Sequence, residues 1–271
     1  MPGFWNSNRP AMELSAFARQ VLLSPELELK LQRPIALTDI APEPPLRVAL
    51  PARPESLQFA TRRTAPAMPG PEALRDPIKR AIAHHIMANH ELQALEVMAM
   101  VLLAFPSAPA EFRSGLGRIM LDEQRHTRLH IQRARELGLN FGDKPVNGWI
   151  WTKALEFQSE LEYVAGLPLV FEGANLDHTI ELEQTFVEAG DRRSAAIMRA
   201  IHHDEIRHVR FGIDWLRQWK SPELSDWDAW MQALHWPIRP SRARGHSFQR
   251  QPRLEAGLSP DFLDALEQYS D

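Results

Sequence analysis

Asp122-Glu123-Gln124-Arg125-His126 and Asp204-Glu205-Ile206-Arg207-His208 are two copies of one word, D-E-x-R-H, set 82 positions apart. Each copy follows an apolar stretch that carries a glutamate. Glu91 precedes Glu123 by 32 positions, and Glu172 precedes Glu205 by 33. The larger unit, E…DExRH, is therefore repeated as well. A helix, a turn and a second helix fit inside each copy. On a helix, residues three apart share a face. Glu123 and His126 thus point one way together, as do Glu205 and His208.

A Glu-x-x-His pair on each of two helices, with one glutamate from each of two more, is the ligand pattern of a two-metal site in a four-helix bundle. The candidate ligands are Glu91, Glu123, His126, Glu172, Glu205 and His208. Four carboxylates roughly balance two divalent cations. Oxygen and nitrogen donors without thiolate point to iron, manganese or a mixed pair. Glu91 shares a face with Met87, Ala88, Ala94, Leu95, Met98 and Leu102, where a carboxylate is costly unless paired or coordinated. Glu96 competes for its place. Five residues on, it is rotated by roughly 140° from Glu91, which suits a partner behind the ligands or a helix contact. Glu172 and Asp177 repeat the same offset.

A single E-x-x-H on a helix is a weak signal, but the doubled word is specific. On these residues the chain resembles the ferritin-like di-iron carboxylate superfamily. The E…DExRH wording is similar to that of bacterial di-iron monooxygenases and ribonucleotide reductase small subunits. With its Pro-rich front and Arg-rich tail, the whole chain is similar to a bacterial ferritin-like family of unknown function, sometimes labelled rhamnosyltransferase. No residue pattern here supports that label. The resemblance implies that Glu91, Glu123 and His126 hold one metal and Glu172, Glu205 and His208 the other, with Glu123 and Glu205 bridging. It implies that Asp122 and Asp204 accept the free N–H of the ligand histidines, and that Arg125 and Arg207 pair with those aspartates.

His130 lies one turn after His126 and is the candidate catalytic side chain outside the ligand set. Three readings are open for it: a third nitrogen ligand, a proton donor to bound oxygen, or a buried histidine with a backbone partner. The only tyrosines, Tyr163 and Tyr269, stand away from both words, which argues against a stable tyrosyl radical.

The 271 residues carry a net charge of −4, which gives no electrostatic case for nucleic acid. There is no cysteine, so disulfides and cysteine-based zinc or iron–sulfur sites are excluded. The first 23 residues hold no continuous apolar core of a signal peptide. No stretch is read as reaching the ~20 apolar residues of a membrane span. A cytoplasmic location is the expectation.

The predicted architecture is all-α: a ferritin-like four-helix bundle with one long crossover, an N-terminal helix, a Pro-rich arm and an irregular C-terminal tail. Residues 1–71 form the helix and arm packed on the bundle, 72–220 the bundle, and 221–271 the tail. Residues 11–32 are amphipathic and break at Ser24-Pro25. The bundle helices are expected at about 71–105, 110–137, 149–188 and 191–219, with the third kinked or split by Pro168. Residues 139–148 supply the crossover. A short helix is expected around Trp227 and Trp230, and another after Ser259, its N-cap. Arg239, Arg242, Arg244, Arg250 and Arg253 suit a strap over the site that meets an anion.

These features predict an O₂-activating di-metal oxidoreductase with a small, anionic organic substrate and an electron donor. The alternatives are a ferroxidase or iron-handling protein without an organic substrate, and an enzyme like the tRNA-hydroxylating ferritin-like proteins. The expected partners include no membrane and no nucleic acid; a homodimer is compatible with the sequence.

Overall fold

The computed structural model describes residues 11–61, 63–235 and 237–270. The protein is all-α. Its only ladder among the described residues is a two-residue parallel pair, β1 (Met12–Glu13) with β2 (Leu37–Thr38). Helix α1 (Leu14–Leu23) stops at Ser24-Pro25, and a single turn, α2 (Leu27–Lys30), comes after it. Helix α3 (Pro77–Ala104) starts on a full cap: Asp76 accepts from the Ile78 N–H, and Pro77 takes the first position, where its missing donor costs nothing. Helix α4 (Ala110–Glu136) ends before Gly138, whose φ of 93° only glycine adopts freely.

The third long element differs from the expected 149–188 helix. It opens with a separate short helix, α5 (Trp149–Ala154), and restarts at α6 (Glu160–Gly166). The Ser159 side chain accepts from the Glu162 N–H and so begins a new helix there. Pro168 does not split the element. A π-helical turn, Leu167–Glu172, carries the chain through into α7 (Gly173–Glu188). The wider turn accommodates the donor that proline lacks and the bulk of its ring. Helix α8 (Arg192–Trp219) begins at Asp191, which accepts from the Ser194 N–H.

Helix α3 packs along α4, α7 packs along α8, and α4 also faces α8. Gly212 on α8 lets the π turn approach: a Cβ there would lie 2.5 Å from Pro168 Cβ. The core runs through all four elements, with Leu92, Leu95, Met98, Met120, Val170 and Ile213 buried in it. By length and composition, α3 could cross a bilayer, with a mean hydropathy of 1.2 over 18 residues, contrary to the expectation from sequence. Yet 94% of that window is buried inside the protein, because α1, α4, α5 and the 33–71 segment pack on α3.

The 33–71 segment is tied down by backbone hydrogen bonds from Leu46 N–H to Leu103 O (2.8 Å), Ala52 N–H to Leu22 O (2.9 Å) and Ala60 N–H to Val146 O (2.9 Å). Trp151 Nε1 donates to Ala49 O at 2.9 Å. Leu57 is buried, but Ile35, Ile40 and Leu50 face water, so only part of the segment's apolar content packs. Trypsin is expected to cut native protein after the exposed Arg63, and chymotrypsin to spare the bond after Leu57, which is 1% exposed. Early cleavage after Leu57 would show that the segment detaches. After α8 come α9 (Asp226–Ala233), α10 (Arg250–Glu255) and α11 (Pro260–Gln268). Trp230 on α9 is fully buried and donates to Ala165 O at 2.9 Å. Ser259 caps α11 through the Phe262 N–H, with Pro260 at the first position.

Candidate metal centre

The four long elements each aim acidic or imidazole groups at one buried point. Glu91 comes from α3, Glu123 and His126 from α4, Glu172 from the end of the π turn, and Glu205 and His208 from α8. All six are at most 8% exposed. Glu91, Glu123, His126 and Glu205 offer donor atoms within 4.8 Å of one another, and Glu123, Glu172 and His208 do the same. Glu123 thus belongs to both groups. His208 Nδ1 lies 3.2 Å from Glu123 Oε1, 3.8 Å from Glu205 Oε2 and 4.0 Å from Glu172 Oε1. His126 Nδ1 lies 3.6 Å from Glu123 Oε1 and 3.9 Å from Glu91 Oε2.

Buried polar atoms are ordinarily satisfied. Here both oxygens of Glu123 and of Glu172, Glu205 Oε2, His126 Nδ1 and His208 Nδ1 have no hydrogen-bond partner among the described residues. They converge on the same point. A cation with oxygen and nitrogen ligands at about 2.1 Å would satisfy them together. Glu205 Oε1 is the exception, since it accepts from Asn175 Nδ2 at 3.3 Å.

The opposite nitrogens of the two rings are held by carboxylates, and the holding is crossed. His126 Nε2 meets Asp204 of the other word at 2.9 Å, and His208 Nε2 meets Asp122 at 3.5 Å. Arg125 bonds Asp204 and reaches Asp122 at 3.4 Å, while Arg207 reaches Asp122 at 3.1 Å and also bonds Asp204. Each ring therefore presents Nδ1 to the cluster.

Glu96 faces away from this cluster, so it is not one of the groups behind the ligands. Its buried carboxylate is taken by Lys30 Nζ at 2.9 Å and by Arg53 Nη2 at 2.6 Å. The five-residue offset from Glu91 turns it toward α1 and the 33–71 segment. Asp177 plays the matching part in the other half, bonding Arg253 of the tail at 2.9 Å. His130 is fully buried and has no backbone partner: its Nδ1 lies 2.9 Å from His84 Nδ1, and its Nε2 has no partner among the described residues. Tyr163, remote from both words in sequence, is fully buried. Burial first, then the charges of Glu172 and Glu123, push its phenol well above the ordinary value.

Crowding sets the protonation. Burial pushes the carboxyls of Glu91 and Glu172 well above their usual range, and that of Glu205 up to about 7. Burial also opposes charge on Glu123 and His126, but their mutual attraction wins. Glu123 is held well below its usual value, and His126 is raised to about 9. A group whose folded pKa is raised contributes stability that is lost as pH rises through that value. Glu205 loses its share through about 7 and His126 through about 9. His84 and His90, depressed by burial to about 3 and about 4, are already neutral in this range. Chelator-treated protein is therefore expected to lose thermal stability from pH 7 to 9, by roughly 1.4 kcal/mol per pH unit for each proton kept only in the folded state. A melting temperature that climbs across that window in calorimetry would contradict this.

A cavity of about 440 Å³ opens onto Glu91, Glu123, Glu172 and Glu205. Trp149, Ile150, Leu167 and Phe171 line it, and Ser241, Arg242 and Arg244 of the tail border it. Arg244 is engaged with the carbonyls of Glu267 and Tyr269, whereas Arg242 is exposed. A second cavity of about 450 Å³, walled by Met68, Leu74, Met87, Leu182, Met198 and Ile201, adjoins the first and shares His90, Glu91, Asn175 and His178 with it.

A family model described as "Protein of unknown function (DUF455)" matches residues 13–264. The chain belongs to the DUF455 family. That match takes in both words, the 33–71 segment and most of the tail, so the DUF455 unit is the whole arrangement and not the four long helices alone. No curated protein and no solved structure matches this DUF455 chain. Sequence reading did not find His84, Ser194, Asp191 or Asn175, since no motif marks them.

Proposed function

We propose that this protein is a ferritin-like di-metal oxidoreductase that uses O₂ to oxidise a small anionic organic substrate. The observation that carries the reading is the convergence of partnerless buried oxygens and nitrogens from four helical elements on one point. Two first-row cations, iron, manganese or one of each, fit that donor set. Glu91, Glu123, His126, Glu172, Glu205 and His208 would hold them, and such a pair supplies two-electron reduction of O₂. An electron donor must return the pair to its reduced form. The aspartates and arginines behind the rings keep both Nδ1 atoms turned inward. The cavity is large enough for an organic molecule, and its aromatic wall would exclude water around the substrate. That cavity favours an oxygenase or oxidase over a ferroxidase, which needs no aromatic chamber. Arg242 at the border suits a carboxylate or phosphate on the substrate. The net charge of −4 favours such a small molecule over a tRNA. A cytoplasmic location belongs to the same reading.

The test is anaerobic reconstitution with Fe(II) followed by elemental analysis and a ligand-field spectrum. Two metals per folded chain, and O₂ uptake by the reduced form, are the expected results. Zero or one bound metal would overturn the proposal. Assembly into a large hollow shell on sedimentation would instead favour iron storage.

A further inference from the structure

We infer that His130 is a third nitrogen ligand of the centre, facing it through Nε2, and that Asp191, Ser194 and His84 fix it in that form. The inference rests on the metal-binding reading, and the chain of contacts that supports it begins at the edge of the fold.

Asp191 caps α8 and is clasped by Arg133, whose Nη2 lies 2.8 and 2.7 Å from its two oxygens. Burial alone would raise its carboxyl, but the Ser194 N–H, Arg133 and the Ser194 hydroxyl hold it below its usual range. It is an acceptor only. The Ser194 hydroxyl must therefore donate its one proton to Asp191 Oδ2, at 2.8 Å. Toward its other neighbours, Ser194 Oγ can only accept. It takes Arg133 Nε–H at 3.0 Å, and it takes His84 Nε2, 2.9 Å away, which must then carry hydrogen.

His84 is fully buried between Ser194, His130 and Phe186 and pairs with no carboxylate among the described residues, so a charged ring would lack a counter-ion and the ring is neutral. With the proton on Nε2, its Nδ1 is a bare lone pair. That lone pair faces His130 Nδ1 at 2.9 Å, so His130 Nδ1 carries the hydrogen between them. Neutral His130 then has its own bare lone pair at Nε2. This atom is buried, has no partner among the described residues, and points at Glu91 Oε1 from 3.7 Å. A bare lone pair aimed at a carboxylate oxygen beyond hydrogen-bond distance is unfavourable unless a cation lies between them. His126 and His208 repeat the pattern: a carboxylate behind one nitrogen and a partnerless nitrogen in front. For those two the carboxylate touches the ring; for His130 it acts through a serine and a second imidazole. His84, Ser194 and Asp191 are thus positioning residues, not ligands.

Two measurements test this. The first is long-range ¹H–¹⁵N NMR of the wild-type protein stripped of metal, which reads the tautomer of each histidine. The expected result is hydrogen on Nδ1 of His130 and on Nε2 of His84. Hydrogen on Nε2 of neutral His130 would overturn the inference, whatever any variant does. The second is anaerobic Co(II) titration of wild type, His130→Gln and His84→Gln, read by visible absorption. His84→Gln is expected to weaken one of two cobalt positions by roughly 10- to 100-fold, as loss of a group that orients a ligand does. His130→Gln is expected to weaken the same position further and to alter its ligand-field bands. A wild type that binds two cobalt ions, with a folded His130→Gln that matches it in affinity and spectrum, overturns the assignment of His130 alone. A wild type that binds no cobalt overturns the metal reading itself.

Discussion

Glu91→Ala is expected to empty at least one metal position while the chain stays folded, and Glu96→Ala is expected to do the reverse. The two glutamates stand five residues apart on α3, and both are buried. Their surroundings are opposite. Glu91 faces other carboxylates, which with burial push its carboxyl well above the usual range. Removing it relieves crowding in the metal-free protein, so that form should be at least as stable as the wild type. Glu96 neutralises Lys30 and Arg53, whose side chains are 0% and 1% exposed. Truncating it leaves two buried cations without their carboxylate, a loss of about 3–5 kcal/mol. Urea unfolding and metal analysis of the two variants separate the roles, with Glu205→Ala as a control for metal loss. Equal metal content in the Glu91 and Glu96 variants would remove Glu91 from the ligand set.

Arg253→Ala should be nearly as damaging, and its damage should spread along the tail. Arg253 is 1% exposed and donates to both oxygens of Asp177. It also donates to the carbonyls of Gly173, Ala243 and Gln249 at 3.0, 2.8 and 2.8 Å. One guanidinium thus ties α7 to two separate parts of the tail. Its loss leaves Asp177 with only the Gly245 and Gln249 N–H groups and takes a donor from three carbonyls, at about 3–5 kcal/mol for the buried pair alone. Arg253→Lys should rescue little, since a lysine lacks the planar fork that reaches all these acceptors. Hydrogen exchange across 240–256 should accelerate, and trypsin should cut after Arg242 and Arg244. Both lie on the cavity border, so under the proposed function substrate affinity should fall with them. A variant within about 1 kcal/mol of wild type, its tail still protected, would refute the role.

The pattern of these effects shows what could be read in the chain. The two DExRH words set Glu123, His126, Glu205 and His208 in place because a three-residue spacing on a helix fixes a shared face. The ends of α4 and α11 were legible too, since Gly138, Ser259 and Pro260 act locally. The new start at α6 was also written locally, in Ser159 and Glu162, and the apolar residues around it masked it. The π turn was not legible: whether Pro168 breaks a helix depends on Gly212, which lies on another helix. The partners of Glu96 are 66 and 43 residues away, and that of Asp177 is 76 residues away. The serine behind His84 is 110 residues away. No local spacing encodes such pairs. Ile35, Ile40 and Leu50 show the converse error, because apolar character alone does not tell which side of an extended segment meets the core.

The crossed aspartates have a consequence for how the two halves are related. Asp122 serves the histidine of the second word, and Asp204 serves that of the first. Neither half can orient its own ring. Exchange the halves and the same two bonds are drawn again, so the arrangement has the symmetry of an isologous contact, in which what one side gives it also receives. Two identical copies of a single half, facing each other across a two-fold axis, would make this bond twice with no further invention. Joined through one connection, such a pair is free to diverge everywhere except where each half depends on the other. The two words share one spelling, while the segments packed around them, one holding Arg53 and the other Arg253, do not resemble each other.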